Sequence, residues 1–169
     1  MNVLRHRSLS AAGISLVETV VSVGVLAVVI PLGLAAMVKA SNSGVSARGE
    51  TRAPTIADYC MLEVRAARKG ESGFFDRIEK GADFGNDDDF LALAFGRDGA
   101  VIGEIGEVEF AEGVTKIGDD GVFFLARVSG ELDTETREVD LVTVTVDVEY
   151  PASQPAGKRS QASFHTKLP

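Results

Sequence analysis

From Gly13 to Val38 the chain reads GISLVETVVSVGVLAVVIPLGLAAMV, with no charged side chain between Glu18 and Lys39. An α-helix needs about 20 apolar residues to cross roughly 30 Å of hydrocarbon. In lipid no water can take up unpaired N–H and C=O groups, so a single spanning segment must close its backbone hydrogen bonds as a helix. The run therefore predicts a membrane-spanning helix despite its many β-branched valines. Pro31 and Gly33 predict no more than a gentle bend, because membrane helices tolerate an interior proline better than soluble ones do. Glu18 is the misfit. A carboxylate on the shoulder of such a run is costly unless something pairs with it.

Ahead of the run lies MNVLRHRSLSAAG, in which Arg5 and Arg7 supply the positive charge that stays cytoplasmic. An ordinary secretory signal has its small-residue cleavage site after the apolar region. Here Ser10, Ala11, Ala12 and Gly13 come before it. A cut after Gly13 removes the basic leader and leaves the whole helix on the mature protein. A free amine at Ile14 and a carboxylate at Glu18 are each unfavourable alone in an apolar bundle. Pairing Ile14 of one subunit with Glu18 of a neighbour removes both penalties in one stagger only, which fixes register.

The sequence G-I-S-L-V-E followed by an apolar run resembles the N-terminal signature of type IV pilins and type II secretion pseudopilins. The resemblance implies that a prepilin peptidase cuts between Gly13 and Ile14 and N-methylates Ile14, with Glu18 as the motif's glutamate. Ile14 stands where that family usually has Phe or Met. The segment V-x-V-E-Y-P, the loop with Arg159 and the strand with Phe164 and Thr166 resemble the C-terminal strands of minor pseudopilins. They are also similar to the small pilin-like Verru_Chthon cassette proteins of the Verrucomicrobia. The likeness implies a pilin-like α+β fold, a long helix packed on a C-terminal antiparallel sheet. Residues 1–13 are then a cleaved leader, 14–38 the transmembrane and filament-core helix, 39–69 its amphipathic continuation and 70–169 a β-rich head. The implied function is that of a minor pilin or pseudopilin, a structural subunit and not an enzyme. Its partners would be prepilin peptidase, other pilin or pseudopilin subunits and inner-membrane lipid. Its place would be a single pass through the inner membrane with the head outside the cytoplasm, and then a filament. A second class stays open: a signal-anchored envelope protein whose β-rich head binds or turns over a ligand, with Glu18 incidental.

At 169 residues the chain has room for one domain beyond the helix. The net charge is −8, and loss of Arg5 and Arg7 takes it to −10. No nucleic acid is expected as a partner, since that would call for a basic face. Cys60 is the only cysteine, so it forms no intramolecular disulfide and is expected as a small core residue. Ile56, Cys60, Val64 and Ala67 share one face of a helix that Pro54 opens or continues and Gly70 ends. The helix is either unbroken from Ile14 to Lys69 or hinged near Gly49 to Pro54, with Arg65, Arg68 and Lys69 at its negative end.

After a connection at 70–89, in which Phe74, Phe75 and Ile78 tuck under the sheet, the period changes to that of strands. FLALAF and AVIGEI flank the turn Gly96–Gly99, and Glu107–Phe110 alternates briefly. VFFLARVSG comes after the turn Gly118–Gly121. REVDLVTVTVDVEYP is the clearest strand, with a bulge or two-sided burial expected where Leu141 and Val142 adjoin. SQASFHTKL is the last.

For chemistry, Asp83, Asp87 and Asp89, with Asn86 and Asp88 nearby, are the calcium candidates, since calcium takes six to eight oxygens. Their spacing lacks the alternation of an EF-hand loop, and no cofactor is expected otherwise. His6 goes with the leader, and His165 stands alone on a strand. No metal-spaced Cys/His cluster, P-loop or G-x-S-x-G sequence occurs. The pairs Glu107/Glu109 and Asp147/Glu149 are expected on the wet face of the sheet.

Overall fold

A computed structural model describes residues 15–76, 78–86, 89–132 and 141–169, leaving aside the side chains of 40–46 and 48. The fold is α+β, a long N-terminal helix followed by antiparallel strands. In chain order the elements are α1 (Leu16–Ala67), β1 (Leu91–Phe95), β2 (Val101–Glu104), α2 (Glu107–Glu112), β3 (Lys116–Ile117), β4 (Asp120–Gly121), β5 (Phe124–Leu132), β6 (Val142–Tyr150) and β7 (Ser160–Leu168). Two compact units are distinguished, Met1–Ser43 and Gly44–Pro169.

In the first unit α1 is helical from Leu16 onward, and it passes through Pro31 and Gly33 without interruption. In the second, the Gly49–Pro54 stretch is also unbroken helix, so the hinged alternative does not occur. Pro54 lies inside the helix and does not open one. It lacks the N–H that would donate to the carbonyl of Glu50, but both residues are exposed, so water can take that carbonyl. The burial of Ala53, Ile56, Ala57, Cys60, Val64 and Ala67, each at 1% exposure or less, holds this half of the helix in place.

The helix ends in a Schellman motif. The Gly70 N–H donates to the Ala67 carbonyl at 2.9 Å and the Glu71 N–H to the Ala66 carbonyl at 2.9 Å. Gly70 adopts φ 74°, a conformation that a side chain disfavours.

The main sheet has five strands in the order β2-β1-β5-β6-β7, and every neighbouring pair is antiparallel. β6 alternates without a break: Val142, Val144, Val146, Val148 and Tyr150 are buried and the residues between them half-buried. Those side chains meet the buried face of α1 together with Leu93, Phe95, Phe124, Ala126 and Val128 in one core. No bulge occurs at Leu141/Val142. Val142 pairs in register with Leu132 and Leu168, and Leu141 precedes the strand. The irregularity in the sheet lies instead between Ala94 and Phe95, where β1 pairs with β2.

β1 is buried on both faces. Its large residues Leu91, Leu93 and Phe95 point to the α1 side, while Ala92 and Ala94 join Ile105, Phe110, Val122, Leu125 and Ala152 in a second, smaller core. That second core explains α2. Residues 107–110 are helical and not a strand, so Glu107 and Glu109 lie on the first turn of α2 and not on a sheet face. Two acidic residues in the first turn suit the helix dipole. The six-residue helix turns Phe110 inward and leaves Val108 67% exposed before Gly113, at φ 98°, stops it. The Gly96–Gly99 turn closes the β1–β2 hairpin as expected, with the Gly96 N–H donating to Ala100 O at 2.8 Å.

Candidate functional site

The feature that sets this chain apart is the span Leu16–Lys39, 24 residues of helix. At about 1.5 Å per residue it is roughly 36 Å long, enough to cross the hydrocarbon. Its large apolar side chains are exposed by between 54% (Leu26) and 81% (Leu16), so no face of the span is covered. A helix apolar nearly all round is a membrane span or a buried core helix, and 0% of this one is buried. It is the one helix among the described residues long and apolar enough to cross a membrane.

Glu18 sits in its first turn, exposed, at the end where the helix dipole favours a carboxylate. The Thr19 hydroxyl bonds back to the Ser15 carbonyl at 3.3 Å. Gly13 and Ile14, the expected cleavage and methylation positions, lie outside the described residues, as does the leader.

Of the three calcium candidates, Asp83 and Asp89 are among the described residues. Asp83 Oδ1 accepts the Leu132 N–H at 2.7 Å, which ties the connection to the end of β5. Asp89 belongs to a separate turn, its N–H donating to Asn86 Oδ1 at 3.1 Å. Asp87 lies outside the described residues. Asp83 and Asp89 do share the wall of a cavity of about 230 Å³ with Asp76 and Glu79. Among the described residues no group of three His, Cys, Asp or Glu is placed to hold a metal ion.

Cys60 lies in the core at 0% exposure, and burial pushes its thiol up to about 12. A group held neutral in this way is inert as a nucleophile at ordinary pH. Burial also raises Tyr59, with a further contribution from Glu63, and raises Tyr150. His165 bonds Thr145 across β6–β7, Nδ1 to Oγ1 at 2.9 Å, on the exposed side of the sheet. Beside it Ser163 donates to Asp147. These are cross-strand pairs on a wet surface.

Sequence reasoning missed Arg159. Placed in a loop, it is in fact buried, its side chain at 0% exposure. Its Nη1 meets Glu149 Oε2 at 2.9 Å, while Nε donates to the Gln154 carbonyl and Nη2 to the Phe110 carbonyl. The guanidinium also stacks on the Phe110 ring, 5.0 Å from its centroid. Glu149 is therefore not part of the wet face but half of a buried ion pair that pins the 151–159 loop and α2 to β6. The one available signal was Glu149 next to Tyr150-Pro151, with an arginine closing the loop.

Arg68, expected at the negative end of the helix, is also buried, and among the described residues its Nε and Nη2 have no hydrogen-bond partner. It lies at the negative end of α1, where a cation is favoured. No family profile, curated protein or solved structure matches the chain.

Proposed function

We propose that this chain is a structural subunit of a membrane-derived filament, a minor pilin- or pseudopilin-like protein without catalytic activity. The observation that carries the reading is a 24-residue helical span with no covered face and a single carboxylate, Glu18, in its first turn. A plain anchor gains nothing from that carboxylate. A subunit that must pack its helix against identical helices gains a register mark.

Prepilin peptidase cuts between Gly13 and Ile14 and methylates Ile14. The mature chain rests in the inner membrane, head outside the cytoplasm, and is then drawn into a filament. There the Ile14 amine of one subunit meets Glu18 of the next. The head's buried Cys60 and its strand-paired His165 fit a carrier surface better than an active site.

The test is the intact mass of the protein isolated from its native membrane. The expected N-terminus is methylated Ile14, and Gly13→Leu abolishes processing. Glu18→Ala leaves insertion intact and impairs incorporation into filaments. A mature chain that keeps Met1 sinks the proposal and leaves a signal-anchored envelope protein with a β-rich head.

A further inference from the structure

Arg52 on α1 and Arg97 in the Gly96–Gly99 turn line one cavity of about 640 Å³, together with Ala47, Thr51 and Asp98. All five residues belong to the Gly44–Pro169 unit. The volume falls in the range of about 300–1,000 Å³ usual for small-molecule sites. The chain carries 25 acidic residues against 17 Lys and Arg, so its cations have carboxylates to spare. Yet neither arginine makes an ion pair or a hydrogen bond among the described residues, and Asp98, in the same wall, pairs with neither.

Both side chains are held in place by apolar contact, which leaves their donors unused. The Arg97 guanidinium carbon lies 5.1 Å from the centroid of the Phe123 ring. That ring stands edge-on to Phe124, with centroids 4.8 Å apart, and Phe124 is at 0% exposure. Contact with a ring takes up none of the five N–H donors through an acceptor atom. The stem of Arg52 lies beside the turn, its Cδ 4.0 Å from where a Cβ on Gly99 would stand. The Thr51 hydroxyl donates to the Ala47 carbonyl at 2.9 Å, so the side-chain donors left in the wall are those of the two arginines. Asp98 Oδ1 accepts the Ala100 N–H at 3.1 Å, and its second oxygen has no partner among the described residues.

We infer that this cavity binds a small, water-soluble phosphate monoester that carries a hydroxyl group. The ligand's chemistry is set by what the wall lacks. Two guanidinium groups without counter-charge call for two negative charges, and their paired N–H donors match phosphate oxygens. A phosphate monoester carries about −1.5 to −2 at pH 7. A phosphodiester carries a single charge and leaves one arginine unmatched. Asp98 repels a bare anion, so the ligand must offer that carboxylate a donor, which a hydroxyl supplies. The inference concerns the head alone and is independent of the filament.

The test is calorimetric titration of the full chain in a maltoside detergent at low salt, with glycerol 3-phosphate, inorganic phosphate and glycerol as probes. Glycerol 3-phosphate should bind about five-fold more tightly than inorganic phosphate, as one further hydrogen bond implies, and glycerol should not bind. Arg52→Gln and Arg97→Gln should each weaken glycerol 3-phosphate about ten-fold. Arg65→Gln, the same charge change at another exposed position of α1, should leave it unchanged. Asp98→Asn keeps an oxygen for the Ala100 N–H and removes the repulsion, so inorganic phosphate should gain and the gap between the two ligands should close.

Absence of saturable glycerol 3-phosphate binding by the unsubstituted chain overturns the inference, as does an equal loss in Arg65→Gln. A gap that survives in Asp98→Asn removes the hydroxyl contact on which the choice of ligand depends. Displacement of glycerol 3-phosphate by phosphatidylglycerol in mixed micelles makes the ligand a lipid headgroup and also overturns it.

Discussion

Replacing Gly49 by alanine should destabilise the head, against the ordinary preference of helices. In a helix interior alanine is better than glycine by about 1 kcal/mol, so propensity alone makes Gly49→Ala a stabilising change. At this position, however, an added Cβ would lie 2.0 Å from Tyr150 Cε2 and 2.2 Å from Cζ. Carbon atoms rest at about 3.5–4.0 Å, so the ring must retreat by more than an ångström. It has little room, because Tyr150 is 4% exposed and stands edge-on to Phe124, with centroids 5.7 Å apart, and Phe124 is itself at 0% exposure. Overpacking costs about 1–3 kcal/mol, and a clash this deep belongs in the upper half of that range. Subtracting the propensity gain leaves a net loss of about 1–2 kcal/mol. The assay is urea unfolding of the full chain in detergent, monitored by far-UV circular dichroism. Tyr150→Leu removes the ring, and in that background Gly49→Ala should turn stabilising, a coupling of about 2 kcal/mol. A rise in the urea midpoint for Gly49→Ala with Tyr150 in place would refute the reasoning.

The head carries two further expected outcomes. Arg159→Met strands Glu149, whose side chain is 15% exposed, and two carbonyls; the same unfolding assay should show a loss of about 3–5 kcal/mol. Arg159→Met with Glu149→Leu should recover the share due to the stranded carboxylate and leave that of the two carbonyls. Cys60 fixes the sign of an alkaline limb: its thiol is raised from 9.0 to about 12, so the folded state holds that proton more tightly than the unfolded chain. Stability from this source is complete below pH 9 and falls as pH rises toward 12, by about 4 kcal/mol at most. Burial raises Tyr59 and Tyr150 as well, which adds a later decline of the same sign. Cys60→Ala should flatten the early part of the limb, read as unfolding free energy against pH.

Period and punctuation made the helix, the hairpin and the long strands legible in the sequence. Val142 to Tyr150 alternates so regularly that one face had to be buried, and Ile56, Cys60, Val64 and Ala67 could share a face only in a helix. The failures lie where a short segment answers to a distant surface. Glu107–Phe110 offers four residues of alternation, too few to separate a strand from a single helical turn. The choice was made by the small side of β1, Ala92 and Ala94, which needs Phe110 as a cover. Arg159 could not be read as buried, because its partners, Glu149 and the Phe110 carbonyl, are joined only by the fold. Gly49 read as a weak point in the helix for the same reason, since the ring that requires it lies about 100 residues away.

The two halves of α1 differ in what covers them. From Ala53 to Ala67 one stripe, Ala53, Ile56, Ala57, Cys60, Val64 and Ala67, is the part covered by the sheet. In water the apolar sector is the one that seeks protein. From Leu16 to Val38 the only polar side chains are Glu18, Thr19 and Ser22, and the rest is hydrocarbon, Met, Gly or Pro. In lipid the apolar surface is already satisfied, and the polar sector seeks protein instead. Each half therefore has one sector that its surroundings cannot satisfy. For the head half the chain supplies the cover itself. For the candidate span Leu16–Lys39 no described residue does.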